Sequence, residues 1–146
     1  MDARKTFDEQ KRHWQDVYET NPDKFGQSPS SAALLAHELF AARGVKTALE
    51  LGCGAGRDTL FFLQQGLRVT AADYATRAIK ALAERASGIS SGQLSVVEHD
   101  VRLPLPFAGR SFDACYSHML LCMALTTKEI EGILLEIWRV LKPGGL

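Results

Sequence analysis

The spacing of apolar residues changes period several times along the chain, and each change falls at a turn signal. Residues 3–20 set Phe7, Trp14, Val17 and Tyr18 among many charges. That spacing predicts an amphipathic helix, which Asn21-Pro22 stops. Ser28-Pro29-Ser30 opens a second helix, with Leu34, Leu35, Leu39 and Phe40 as its apolar stripe and Gly44 as its C-terminal stop. Thr47-Ala48-Leu49-Glu50-Leu51 is an apolar run of strand length, followed at once by Gly52-Cys53-Gly54-Ala55-Gly56 and a helical stretch to Gln65.

The unit then repeats in kind. Leu67 to Ala72 reads as a strand ending at Asp73, and Thr76 to Ser87 as a helix with Ile79, Leu82 and Ala83 facing inward. Gln93 to Glu98 reads as a third strand, ending at His99-Asp100. After a loop marked by Pro104 and Pro106, Ser111 to Ser117 is a fourth strand. Lys128 to Leu141 then carries Ile130, Ile133, Leu134, Ile137 and Leu141 at helical spacing, and Lys142-Pro143-Gly144-Gly145 ends that helix. Strands alternating with helices over short connections imply an α/β fold: a parallel sheet with right-handed crossovers, helices on both faces and ligands at the carboxyl ends of the strands.

Composition narrows the function classes. A chain of 146 residues, 46% hydrophobic, is long enough for one domain with its own core. The 17 basic and 17 acidic residues cancel, which argues against the basic field needed to hold nucleic acid or an anionic membrane surface. No apolar run approaches the ~18 residues of a membrane span, and the stretch from Met1 to Asp16 is polar, so a cytoplasmic protein is expected. Cys53, Cys115 and Cys122 form no CxxC pair and read as buried thiols in a reducing compartment. His13, His37, His99 and His118 show no ligand spacing, and no metal is expected.

The chemistry concentrates between the first strand and its helix. Glycines at 52, 54 and 56 let the backbone turn tightly and approach a ligand without side chains intervening. A pyrophosphate-binding loop would place a third glycine where Arg57 stands, and Glu50 at the strand end would repel a pyrophosphate. A carboxylate there suits a ligand that bears an ammonium group.

The run Glu50-Leu51-Gly52-Cys53-Gly54-Ala55-Gly56 resembles the first motif of class I S-adenosylmethionine-dependent methyltransferases, and further motifs follow in order from Thr47 to Leu146. The resemblance implies a Rossmann-like doubly wound sheet of strand order 3-2-1-4 and S-adenosyl-L-methionine as cofactor, with S-adenosyl-L-homocysteine as product. It assigns cofactor contacts to Glu50, Gly52, Cys53 and Gly54. Asp73 would take the ribose hydroxyls and Tyr74 would pack on the adenine, with Asp100 and Val101 at the adenine edge. Ser117-His118-Met119 falls where the family's loop passes under the methionine moiety, so Ser117 joins the cofactor set. Leu141-Lys142-Pro143-Gly144-Gly145 is similar to the turn before the family's fifth strand.

Residues 1–45, with Trp14, Tyr18, Phe25-Gly26 and Pro29, resemble the lead-in of the small-molecule branch, akin to methyltransferase type 11 and to tellurite-resistance and thiopurine methyltransferases. In that branch the segment forms a helical lid over the cofactor, leaving 46–146 as the core of a single domain. Tyr18 and His118 are the candidates for contact with the acceptor, each with simple packing as its alternative. Ser117-His118-Met119-Leu120 stands where families that methylate amide nitrogens carry an Asn/Asp-Pro-Pro-aromatic motif, which disfavours DNA and protein-glutamine acceptors.

The expected function is methyl transfer to a small-molecule acceptor. The alternative is a noncatalytic module that binds the cofactor or a partner. A nicotinamide-dependent oxidoreductase is disfavoured by Arg57 and Glu50. Because the family's fifth strand and the antiparallel pair beyond it do not appear by Leu146, the fourth strand is expected to be an open edge that invites self-association.

Overall fold

Four short strands carry the architecture in the computed structural model, which describes residues 3–89 and 92–146. They are β1 (Thr47–Leu51), β2 (Arg68–Asp73), β3 (Leu94–Glu98) and β4 (Ala114–Ser117). The five helices are α1 (Ala3–Thr20), α2 (Ser31–Ala42), α3 (Arg57–Gln64), α4 (Thr76–Arg85) and α5 (Thr127–Val140). All strand pairings are parallel and the order is β3-β2-β1-β4, as the resemblance implies. The central strand β1 is buried from Ala48 to Leu51, which is why it reads as a continuous apolar run rather than an alternating one.

Alternate strand residues feed two cores, one on each face of the sheet. On one face Val69, Ala71, Ala114 and Tyr116 pack with Ala33 and Phe40 of α2, Phe62 and Leu63 of α3 and Leu82 of α4. On the other, Leu49, Leu51, Ala72 and Phe112 pack with Val140 and Ile137 of α5. The parallel register sets Glu50 beside Ala71 and Leu51 beside Ala72 on one side, and beside Tyr116 and Ser117 on the other. Strands β1, β2 and β4 therefore end level, and the loops that follow them converge at one rim.

Several elements differ from the sequence expectation, each for a local reason. In α2 the buried residues are Ala33 and Phe40, whereas Leu34, Leu35 and Leu39 are about half exposed or more. The cap fixes that rotation: Ser30 Oγ accepts the amide of Ala33 and also donates to Asp58 of α3, so small Ala33 faces α3. In α4, Ala78 and Leu82 are buried, four residues apart on one face, while Ala83 is exposed. Leu134 of α5 is 50% exposed, and Leu141 leaves the helix in an extended conformation as its C-cap.

The fourth strand starts at Ala114 rather than Ser111, because the amides of Ser111 and Phe112 both donate to Val140 O instead of to a strand. It is the edge strand of the sheet, as expected, and its outer side is met near its start by Leu146. The Leu146 amide donates to Asp113 O at 3.0 Å, and Leu146 O accepts the Cys115 amide at 2.8 Å. Of the three thiols only Cys53 is buried; Cys122 is exposed in the loop after β4, where its thiol donates to Met119 O. Among the described residues no helix is long and apolar enough to cross a membrane.

Candidate functional site

The glycine loop is shaped by close neighbours on both sides. Gly52, Gly54 and Gly56 all have positive φ. A Cβ on Gly54 would collide with the Tyr18 hydroxyl, and one on Gly56 with Leu82 of the core. Only glycine meets both demands, the left-handed backbone and the missing side chain. The loop is then tied to β2: the amides of Gly52 and Cys53 donate to Ala72 O, and the Gly54 amide donates to the Asp73 carboxylate at 2.9 Å.

Above this loop lies a cavity of about 250 Å³. Its floor comes from Glu50, Gly52, Cys53, Gly54, Asp73 and Tyr74, and Val101 reaches it from the loop after β3. The wall opposite is apolar and aromatic: Trp14 and Tyr18 from α1, Phe25 from the following segment, and Met119, Leu120 and Met123 from the loop after β4, beside His118. Trp14 stacks on Tyr18 with ring centroids 5.8 Å apart and leans on Phe25 at 5.9 Å.

Three carboxylates behave differently around this space. Glu50 is 4% exposed and accepts a hydrogen bond from the Thr59 hydroxyl. Burial pushes its carboxyl up to about 8, the Thr59 bond opposing. Asp73 is also raised by burial, with the amides of Ala75 and Gly54 pulling the other way. The Gly54 and Ala75 amides each bond one carboxylate oxygen and the Tyr74 amide also contributes, within the roughly four acceptor positions of a carboxylate. Asp100 does not line the cavity: Arg102 holds it with three side-chain contacts of 2.6–3.1 Å. Burial acts to raise the Asp100 carboxyl, but the Arg102 bonds outweigh it and hold it below its usual value.

The structure thus brings together most of the residues singled out from the sequence: Tyr18, Glu50, Gly52, Cys53, Gly54, Asp73, Tyr74, Val101 and His118 all line one cavity. Ser117 does not; its side chain is exposed and donates to Leu51 O. The Tyr74 ring packs on Phe7 of α1 with centroids 4.9 Å apart, and burial pushes its phenol up to about 12. Sequence reasoning missed Asp58, Arg85, Leu120 and Met123, which also line the cavity. Asp58 sits in the first turn of α3, where a carboxylate is favoured by the helix dipole, but its burial is not encoded locally.

Comparison with known proteins agrees with this geometry. Residues 48–145 match the model of the family described as "Methyltransferase domain". A sterol 24-C-methyltransferase of Aspergillus fumigatus is 34% identical over 116 residues, covering 77% of this chain and 29% of that protein. A demethylmenaquinone methyltransferase of Thermobifida fusca is 35% identical over 98 residues, 66% of this chain and 39% of that protein. The chain therefore spans roughly a third of the length of the relatives it matches.

Among solved structures, Haemonchus contortus phosphoethanolamine N-methyltransferase 1 in complex with phosphoethanolamine and S-adenosylhomocysteine superposes with a TM-score of 0.71 at 22% identity. The match covers 97% of this chain and 31% of that one. A methyltransferase structure from Methanococcus maripaludis gives 0.67 at 16% identity, covering 92% of this chain and 59% of that one. These two share the fold. With the glycine loop, the strand order and the matched span in agreement, the chain belongs to the methyltransferase domain family.

Proposed function

We propose that this chain forms the cofactor-binding part of an S-adenosylmethionine-dependent methyltransferase that acts on a small molecule with an apolar body. The observation that carries the reading is the cavity floor. A collision-free glycine cradle, one cavity-lining carboxylate (Asp73) and one buried carboxyl (Glu50) lie side by side at the carboxyl ends of β1 and β2.

The residues present fit that cofactor. Asp73 offers its carboxylate oxygens to a pair of hydroxyls, and Glu50 offers a carboxylate to an ammonium group. Val101 and Tyr74 supply apolar and ring surface on the β2–β3 side. When bound, the cofactor supplies an activated methyl group on a positively charged sulfur. The protein's own contribution is then alignment and exclusion of water, which the aromatic wall of Trp14, Tyr18 and Phe25 and the Met119–Met123 loop provide.

Of the lead-in expected to form a lid over residues 1–45, α1 and the segment after it up to Gly26 act as that lid, whereas α2 packs on the sheet as part of the core of the same domain. Tyr18 works as a hydrogen-bond donor rather than a base, because burial and the nearby Asp73 carboxylate push its phenol well up. His118 lies in the wall beside Met119 and Leu120 and is, with Tyr18, the candidate for contact with the acceptor. The apolar wall supports an acceptor with an apolar body, and relatives named for sterol and demethylmenaquinone methylation support the same class.

Thermal unfolding tests the reading, with S-adenosylhomocysteine and NADH in parallel on wild type and Asp73→Ala. At 100 times its dissociation constant a ligand adds about 2.7 kcal/mol, several degrees for a domain of this size. Stabilisation by S-adenosylhomocysteine alone, lost in Asp73→Ala, is expected. A cooperative melt that neither compound moves, or one that NADH moves, overturns it.

A further inference from the structure

The segment from 21 to 30 joins α1 to α2 as a strap and brings Pro22, Phe25 and Gly26 to the cavity wall. Its backbone bonds are short-range turns, from Asn21 to Val17 O, Lys24 to Asn21 O and Gly26 to Asp23 O, which fix its shape but not its place. Side chains of the body do that. Arg57 Nη1 donates to Phe25 O at 3.0 Å. Asp58, the next residue, accepts the Ser30 amide at 2.8 Å and the Ser30 hydroxyl at 2.7 Å. Tyr116 Oη of β4 donates to the same carboxylate at 2.8 Å. Arg85 of α4 adds an ion pair with Asp23.

Two features say that these ties do more than pack the strap. Asp58 is only 6% exposed, and a buried carboxylate is costly unless donors satisfy it; two of its three donors come from the end of the strap. Arg57 occupies the position where a pyrophosphate loop has glycine, and here it lines the cavity and donates to the strap's carbonyl. The strap lies where it can cover a cavity of about 250 Å³, to which it contributes Pro22, Phe25 and Gly26.

We propose that Arg57 and Asp58 are positioning residues that hold the 21–30 strap closed over the cavity, and that this closure sets how long a bound cofactor stays. The cofactor's identity rests on the methyltransferase reading above; the anchoring does not.

The test compares wild type, Arg57→Ala and Arg57→Lys by three readouts. These are native-state tryptic cleavage at the exposed Lys24–Phe25 bond, identified by fragment mass, the urea midpoint, and the dissociation rate of S-adenosylhomocysteine. Loss of one charge-assisted bond should speed both cleavage and dissociation roughly tenfold while the urea midpoint stays put. Lysine, which keeps a donor, should recover part of the effect. Cleavage that is unchanged in Arg57→Ala, or that rises only in step with a falling urea midpoint, overturns the proposal. If wild type binds no S-adenosylhomocysteine while Lys24–Phe25 cleavage still accelerates in Arg57→Ala, the cofactor reading falls and the anchor stands.

Discussion

Glu50 puts a titratable group where folding and ligand binding pull in opposite directions, and the substitution Glu50→Gln separates them. The side chain is 4% exposed at the end of the central strand, and burial lifts its carboxyl from the ordinary 4.5 to about 8. Between those two values the folded protein keeps a proton that the unfolded chain has released. Stability is therefore full below 4.5 and is lost as pH rises toward 8, by up to roughly 1.4 kcal/mol per pH unit. The whole window amounts to about 5 kcal/mol as an upper bound, and relaxation around a newly ionised group brings the expected figure to roughly 2–4 kcal/mol. Glutamine keeps the shape and an acceptor for the Thr59 hydroxyl but does not titrate. Urea unfolding of both proteins from pH 5 to pH 8 is the assay. The variant should match wild type near pH 5 and exceed it by that margin at pH 8, while binding S-adenosylhomocysteine more weakly because an ammonium group has lost its partner. A stability gap that stays constant across the range would refute the reasoning.

Asp113 makes the opposite pH signature. It accepts from the amides of Lys46 and Thr47, the Thr47 hydroxyl and the Lys142 ammonium. Burial acts to raise its carboxyl, but these donors outweigh it and hold it below the usual 3.8. Asp113→Asn should cost about 1–3 kcal/mol at pH 7 by chemical denaturation. The gap to wild type should narrow as pH falls below 3.8; one that does not narrow between pH 5 and pH 2 counts against the account. At Gly56, φ is 89° and an added Cβ would meet the fully buried Leu82. Gly56→Ala should cost more than about 2 kcal/mol by urea unfolding, from backbone strain and overpacking together, and a cost under 1 kcal/mol would show that the loop re-forms at little expense.

Local information carried the fold a long way. The extent of β1 was written in five consecutive residues, because a strand buried on both faces is largely apolar, and Glu50 is the exception near its carboxyl end. The break after it was written in glycines whose positive φ no other residue adopts cheaply. The carboxylates at 50 and 73 were legible as ends of strands, and parallel pairing brings strand ends together at one rim. Helix rotation was not legible in the same way. In α2 the leucines outnumber the residues that are buried, and the facing direction came from Ser30 bonding to Asp58 and from how closely Ala33 lets the helix approach.

The site divides along the same line. The sequence by itself determined the glycine loop, the acidic residues at the strand ends and the alternation that makes a parallel sheet, because each is a backbone or spacing requirement met by neighbours in the chain. Only the tertiary structure decided that Asp73 faces the cavity, that Ser117 turns away, and that Arg57 and Asp58 reach back across 28 residues or more to hold the strap; Asp100 is claimed by Arg102, two residues on. A polar side chain's partner is whichever group packing delivers within about 3 Å, and Gly54 for Asp73, Ser30 for Asp58 and Phe25 for Arg57 all come from distant parts of the chain.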